Sequence, residues 1–361
     1  MDAVELLMTL LAIPSPTYGE SDKADMVSDW VSQACPAMHQ DRVGNTVLAR
    51  HDVPGRPILA WVGHLDTVPP FFEPYQSEGR IHGSGASDMQ AGLAGMMAFV
   101  ANHFQALSNQ YSIWMIWYDK EEGTPLKDNG LHALIQAFPD DMAAIDMAIV
   151  AEPTNNAIQL GCVGSLHYAV TVSGQAAHSA RPWDGCNALY NALPLITAIR
   201  DVRPVAQRVF GVEFFDVMSI TESAASPGRT TVPDTWQANI NYRFSPVHTL
   251  ADAKAYVQTW VQDVMPDASL RLVDAVDAGK VVPHPWLDWV RDTNRVPIQA
   301  KQAWTDVAQL TAMGVCAINF GPGRQDQAHH PNEYACVDDM LTYDQQLNQL
   351  FLGGSHVTTH C

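Results

Sequence analysis

Five short segments each place a strong metal-ligand side chain, or two, just beyond an apolar run. They are His64 and Asp66 in WVGHLDTVPP, Asp88 in GASDMQAG, Glu121 and Glu122 in YDKEEG, Glu152 in VAEPT, and His329 in AHHPNE. Two imidazoles and several carboxylates, with no thiolate among them, are the donor mixture of a hydrolytic centre that holds two divalent ions, most often zinc. In this chemistry His64 binds a metal through one nitrogen, while Asp66 orients the ring or strengthens it as a ligand. Taken singly, each segment has an ordinary explanation. Asp88 stands where an aspartate commonly caps a helix, Glu121 and Glu122 are an acidic pair in an acidic chain, and His329 and His330 lie in a loop. Five in this order, each at a strand or loop end, argue for one site.

The elements that must position these residues follow from the apolar pattern. Segments 57 to 63, 111 to 118, 145 to 150 and 315 to 320 are short, nearly continuous apolar runs without helical period, as suits strands buried on both faces of a mainly parallel sheet. Helical patterns lie between them, the clearest over 89 to 107. Strand alternating with helix predicts an α/β fold with helices on both faces of the sheet. His64, Glu121 and Glu152 follow the first three strands, His329 lies a loop beyond the fourth, and Asp88 sits where the glycine-rich loop GSGASD enters a helix. Carboxyl ends of strands are where such sheets form their ligand crevice.

A change of pattern marks a second domain. From about Gly164 the order is a strand (SLHYAVTVS), a helix (NALYNALPLITAIRD), two strands (FFDVMSIT and TWQANINYRF), a helix (LADAKAYVQTWVQDVM) and a last strand (SLRLVDAV). This βαββαβ order predicts a ferredoxin-like α+β domain over 164–277, inserted into a discontinuous first domain of 1–163 and 278–361.

Composition narrows the function. The 361 residues exceed what one core usually serves. A formal charge of −19 with 20 Lys plus Arg argues against a nucleic-acid or anionic-membrane partner, because phosphate contacts need clustered cations. Cysteines at 35, 162, 186, 316, 336 and 361 show no Cys-x-x-Cys spacing, which suggests reduced thiols and a cytoplasmic location. The segment MDAVELLMTLLAIPSP carries Asp2 and Glu5 where a secretory signal carries basic residues, and reads as an amphipathic helix ended by Pro14.

In combination, GHLDTVP, SDM with Gly92 in the following turn, EEG, EPT, GQAAHSARP, NYRFSP, GPG and the closing His-x-Pro-Asn-Glu resemble the dinuclear zinc aminoacylase, carboxypeptidase and desuccinylase family over nearly the whole chain. GCVGSL, AHSARPWDG, WTDVAQL and NFGPG are most similar to its desuccinylase members. The resemblance implies two divalent metal ions, zinc or cobalt as a substitute. Asp88 would bridge them, His64 and Glu152 would complete one site, and Glu122 and His329 the other. It further implies Glu121 as general base, a cis peptide after Asp88, and a homodimer through the inserted domain that brings His178 to the partner's site as an oxyanion donor. Position 329 rather than 330 is implied because the family histidine lies three residues before the Asn of the closing pair, here Asn332.

The expected substrate is a small N-acyl amino acid, with a succinylated diamino acid first and another N-acyl amino acid or peptide second. A non-catalytic amino-acid or peptide binder on the same scaffold is a third reading, against which the intact Glu121 argues. Arg243 is the first candidate for the substrate carboxylate, since a planar guanidinium binds it with two bonds; Arg181 and Arg324 come after it. Thr305, Asp306, Gly321 and Gly323 are expected at the pocket floor. Cys162 and Val163, Arg229 to Thr231, and Gln90 depart from the residues relatives commonly carry, and bear on the acyl-group contacts.

Overall fold

The apolar runs form four parallel strands, Ser112–Tyr118, Ile58–His64, Met147–Val150 and Cys316–Asn319, side by side at the centre of an eight-stranded sheet. These features come from a computed structural model, which describes residues 1–225, 227–293 and 295–353. Antiparallel partners flank this centre. Thr46–His51 adds antiparallel on one side and Ile158–Leu160 on the other, with His39–Val43 and Ile298–Ala300 at the edges, so the sheet is mixed rather than mainly parallel. Edge strands face water on one side and lose the continuous apolar signature that marks a central strand; His39–Val43, for example, has no buried residue.

Helices cover both faces. Trp61 packs on Phe99 of the helix Ala91–Ser108 and on Phe351 of the helix Val337–Phe351. On the other face the Arg50 guanidinium lies over the ring of its cross-strand partner Trp114 and over Phe138, just past the helix Gly130–Ala137. The amino-terminal helix runs from Ala3 to Leu11, with the Asp2 carboxylate accepting the Val4 N–H as its cap.

The chain divides into two compact units, one of Met1–Gly161, Val281–Gln299 and Gln309–Cys361, the other of Cys162–Lys280 and Ala300–Ala308. The divisions fall at 161/162 and 280/281 rather than 163/164 and 277/278, and Ala300–Ala308, expected in the first domain, packs with the second. Hydrogen bonds explain this. The Gln302 amide holds the Phe215 backbone on both sides, at 3.0 and 2.7 Å, Trp304 Nε1 donates to the Asp277 carbonyl at 3.1 Å, and the Cys162 thiol to the Thr305 carbonyl at 3.5 Å. Where the chain enters and leaves the insertion, Cys162 and Gly279 exchange two backbone hydrogen bonds of 3.0 Å.

The second unit has the expected βαββαβ order. Its sheet runs Val205–Val209, Val212–Ala224, Thr235–Phe244, Gly164–Ser173, Ser269–Val276, all antiparallel. Val205–Val209 is an additional edge strand, turning back through Phe210 and Gly211, both at positive φ. Leu195 and Ile199 from the helix Leu193–Asp201, and Val257 and Val261 from the helix Leu250–Val264, close the core over Tyr168, Trp236 and Phe244. Each fully buried aliphatic of this kind contributes about 1.5–3 kcal/mol.

Candidate metal centre

The strand Ile58–His64 is buried throughout from Leu59 and ends on His64, whose ring is 1% exposed. His64 Nε2 lies 3.4 Å from Asp88 Oδ1. The other Asp88 oxygen lies 3.7 Å from His329 Nε2, and His329 Nε2 in turn stands 3.0 Å from Glu122 Oε2. One aspartate therefore turns its two oxygens to two imidazoles from opposite ends of the sequence. Ligand atoms of His64, Asp88 and Glu122 all lie within 4.8 Å of one another, close enough to hold a cation. His329 adopts φ 61, and this left-handed backbone points its ring at Glu122; His330 instead accepts the Asn332 N–H on Nδ1 within its own loop. The Asp88–Met89 peptide is cis.

Glu152 comes two residues after Met147–Val150, and Val150 is the register partner of Val62, two residues before His64. Parallel pairing thus carries Glu152 to the level of His64, and it is 6% exposed. Two glycines let neighbouring backbones close around this point. A methyl at Gly92, in the first turn of the helix, would collide with the Ala151 carbonyl. One at Gly323 would collide with the Ser87 carbonyl and Pro153. Gly323, expected as pocket floor, therefore wedges between the Asp88 and Glu152 loops, and its carbonyl accepts the Asn155 N–H at 2.9 Å.

Asp66 acts through its main chain as well as its carboxylate. His64 Nδ1 bonds the Asp66 backbone carbonyl at 2.9 Å, while the carboxylate stands farther off at 3.6 Å. The Asp66 carboxylate accepts the N–H groups of Glu121 at 3.0 Å and Glu122 at 2.9 Å, and the Thr17 hydroxyl at 3.0 Å. It orients the glutamate loop, and its main chain orients the imidazole. Glu333, which the sequence reading used only to fix the register of His329, performs the matching task for Asp88. Its buried carboxylate accepts the N–H groups of Gly85, Ser87 and Asp88 at 2.7–2.8 Å. An acidic residue in a closing loop has no periodic signature; the signal that could have found it was its place in the His-x-Pro-Asn-Glu motif.

The electrostatics favour a cation. Burial works against a charged His64, yet the neighbouring Asp88, Glu121 and Asp66 outweigh it and raise the imidazole well above its ordinary pKa. The bond to Glu122, with Asp88 and Glu333 adding to it against partial burial, pushes His329 up to about 9. Burial pushes Glu333 up to about 7, despite the three amides that favour its anion. Carboxylates this close repel one another unless positive charge lies among them, and imidazoles that hold protons so tightly mark where it would sit. The donor set of imidazole and carboxylate fits borderline divalent ions such as zinc.

His178, Arg181, Arg243, Thr305 and Asp306 lie in the second unit. His178, in the two-residue strand Ala177–His178, is exposed and accepts the Ala180 N–H on Nδ1 at 3.0 Å. Arg181 is exposed and pairs with Asp184 at 3.4 Å. Arg243 is half-buried and donates to Asn241 at 3.2 Å, burial lowering its pKa. Thr305 and Asp306 are buried. Arg324, in the first unit, spends its guanidinium on Asp339 at 2.9 Å, and its N–H donates to Ser87 Oγ at 2.6 Å.

A mixed α/β sheet with an inserted antiparallel α+β unit, and a His–Asp–Glu cluster at the strand ends, is the arrangement of a metal-dependent hydrolase. The chain belongs to peptidase family M20/M25/M40, whose sequence profile matches residues 60–352. It is 31% identical over 359 residues to a succinyl-diaminopimelate desuccinylase of Corynebacterium glutamicum, covering 96% of this chain and 95% of that one. It is equally 31% identical over 358 residues, 98% of each chain, to a Mycobacterium tuberculosis protein that carries the same name provisionally. The fold is similar to that of aminopeptidase PepT from Bacillus cereus, with a TM-score of 0.76 at 15% identity over 97% of each chain. It is also similar to a Bacillus subtilis M20 protein described as a dinuclear metal-binding peptidase, with a TM-score of 0.68 at 12% identity over 97% and 96% of the two chains.

Proposed function

We propose that the protein hydrolyses the amide of N-succinyl-diaminopimelate, releasing succinate and the free amine. The reading is supported most by Asp88 facing both His64 and His329, with Glu122 beside the second. The two near-full-length relatives with desuccinylase names direct it to this substrate. His64, Asp88 and Glu152 would hold one divalent ion, and Asp88, Glu122 and His329 a second, zinc in the first instance. When bound, such ions polarise the amide carbonyl and acidify water for the attack.

Glu121 takes the proton of the attacking water and returns it to the nitrogen as the C–N bond breaks, a transfer typically worth about 10² to 10⁴ in rate. The amides of Glu121 and Glu122, fixed on Asp66, keep that carboxylate from swinging away. His178, from the inserted domain of a second copy, donates to the carbonyl oxygen as negative charge grows there. Arg243 and Arg181 take the substrate carboxylate, with Thr305 and Gly323 shaping the floor. Among the described residues no helix is long and apolar enough to cross a membrane, and the five described cysteines are free, in keeping with a cytoplasmic enzyme.

The test is a kinetic panel on the zinc-loaded protein, comparing succinyl-diaminopimelate with acetylornithine and other N-acyl amino acids. The highest kcat/KM is expected for the succinyl substrate. A preference of tenfold or more for an acetyl substrate would move the assignment to a deacetylase, and no turnover of any of them would leave a binding protein.

A further inference from the structure

Three consecutive backbone N–H groups at the head of the Glu121 loop end on two buried carboxylates from distant parts of the chain. Glu20 Oε1 accepts from Lys120 at 3.2 Å, Asp66 Oδ1 from Glu121 at 3.0 Å, and Asp66 Oδ2 from Glu122 at 2.9 Å. Lys120 adopts φ 56, a left-handed conformation that a non-glycine residue keeps only where its surroundings enforce it. Glu20 also accepts the Tyr18 N–H at 2.7 Å, and its second oxygen lies 3.5 Å from Asn45 Nδ2. Glu20 is fully buried, and no Lys or Arg pairs with it among the described residues. N–H donors are therefore what stabilise its charge.

The neighbouring residues act on the same point. The Thr17 hydroxyl donates to Asp66 and, at 3.4 Å, to the Glu122 carbonyl. One turn into the helix Ser21–Ala34, the 1% exposed Lys23 donates to Gln90 Oε1 at 3.1 Å, and the Gln90 amide donates to the Leu65 carbonyl at 3.4 Å, beside Asp66. Segment 17–23 thus reaches the glutamate loop directly through Thr17 and Glu20, while Lys23 supports the neighbouring Leu65–Asp66 backbone through Gln90.

We propose that Glu20 is a positioning residue for Glu121: by taking the Lys120 N–H it fixes the left-handed turn from which the proton-transferring carboxylate projects. The inference rests on the reading of Glu121 as the base. A displacement of about 1 Å at such a group costs on the order of 10²-fold in rate, so a residue that only holds the adjoining backbone can govern it.

The test compares Glu20→Ala and Glu20→Gln with the wild type in the full-length, zinc-loaded protein. Glu20→Ala is expected to accelerate hydrogen exchange of the amides in segment 118–124 by about tenfold or more. It should lower kcat by about ten- to a hundredfold, with KM and zinc content unchanged. Glu20→Gln keeps an acceptor oxygen in place and is expected to stay within about threefold of the wild type in both readouts. Unchanged exchange in folded Glu20→Ala overturns the proposal, as does loosened exchange with kcat per metal-loaded site intact. If the wild type turns over no N-acyl substrate, the functional reading fails on its own panel, and loop exchange alone then decides whether Glu20 holds the turn.

Discussion

In the first unit, the N–H groups of residues 85, 87, 88, 121 and 122 all end on two buried carboxylates, Glu333 and Asp66. In the second, the segment that carries His178 and Arg181 stands in solvent, with Trp183 beside them 76% exposed. The first arrangement is preorganised: the side chains that would hold cations are fixed before any ligand arrives, and no reorganisation is left for the reaction. The second is the state of groups that act on a surface supplied from elsewhere, as proposed for a second copy of the chain. Residues of the first kind are fixed within one protomer, whereas His178 and Arg181 have their side chains in solvent.

The most severe way to break the comparison lies in the first unit. Glu121→Gln is expected to lower kcat by about 10² to 10⁴ with zinc content unchanged; steady-state kinetics with metal analysis checks this, and an undiminished kcat removes the base from the mechanism. Next comes His178→Ala, expected to cost about 10² to 10³ in kcat as the loss of one oxyanion donor. Mixing that variant with Glu121→Gln sharpens the contrast. In a mixed dimer the His178→Ala subunit keeps Glu121 and borrows an intact His178, so random exchange should recover about a quarter of the wild-type sites. No recovery on mixing would place His178 within its own protomer.

Smaller effects separate support from chemistry. Glu333→Ala is expected to weaken zinc affinity by about 10- to 100-fold, because the Asp88 loop loses the acceptor of three amides. Chelator competition measures it, and unchanged affinity would reduce Glu333 to a folding residue. In the metal-free protein His329 keeps its proton up to about pH 9 because Glu122 bonds it, so a cation must displace that proton. Affinity for a divalent ion should therefore rise with pH between about 6.5 and 9, by up to tenfold per unit for one proton released. A flat profile in that window would contradict the role of His329 as ligand. Arg181→Ala should change stability by less than about 1 kcal/mol, since its partner Asp184 is equally exposed, and any marked rise in KM would then report substrate contact.

What could be read in the chain depended on whether a residue's task leaves a pattern. The four central strands were legible because burial on both faces produces unbroken apolar runs, and the second unit because its strands and helices alternate in period. The hairpin His39–Val43 and Thr46–His51 was not anticipated, although Gly44 and Asn45 between its strands are a two-residue turn signal, with Gly44 at φ 62. The meeting of His64, Asp88, Glu122 and His329 was legible from type and motif. The residues that hold them were not: Glu20, Lys23 and Glu333 are charged side chains that local patterning assigns to solvent, and only tertiary contacts make them interior. Which Asp66 oxygen meets the His64 ring is not legible in sequence: the carbonyl stands at 2.9 Å and the carboxylate at 3.6 Å.

The bond from the Asp88 N–H to Glu333 spans 245 residues. During synthesis the strands that carry His64, Glu122 and Glu152 leave the ribosome long before Glu333 and His329 do. A nascent chain that has emerged past Glu152 therefore holds four of the five proposed donors with the Asp88 turn still unfastened. The Asp88 turn therefore cannot be fastened until the segment with His329 and Glu333 has emerged.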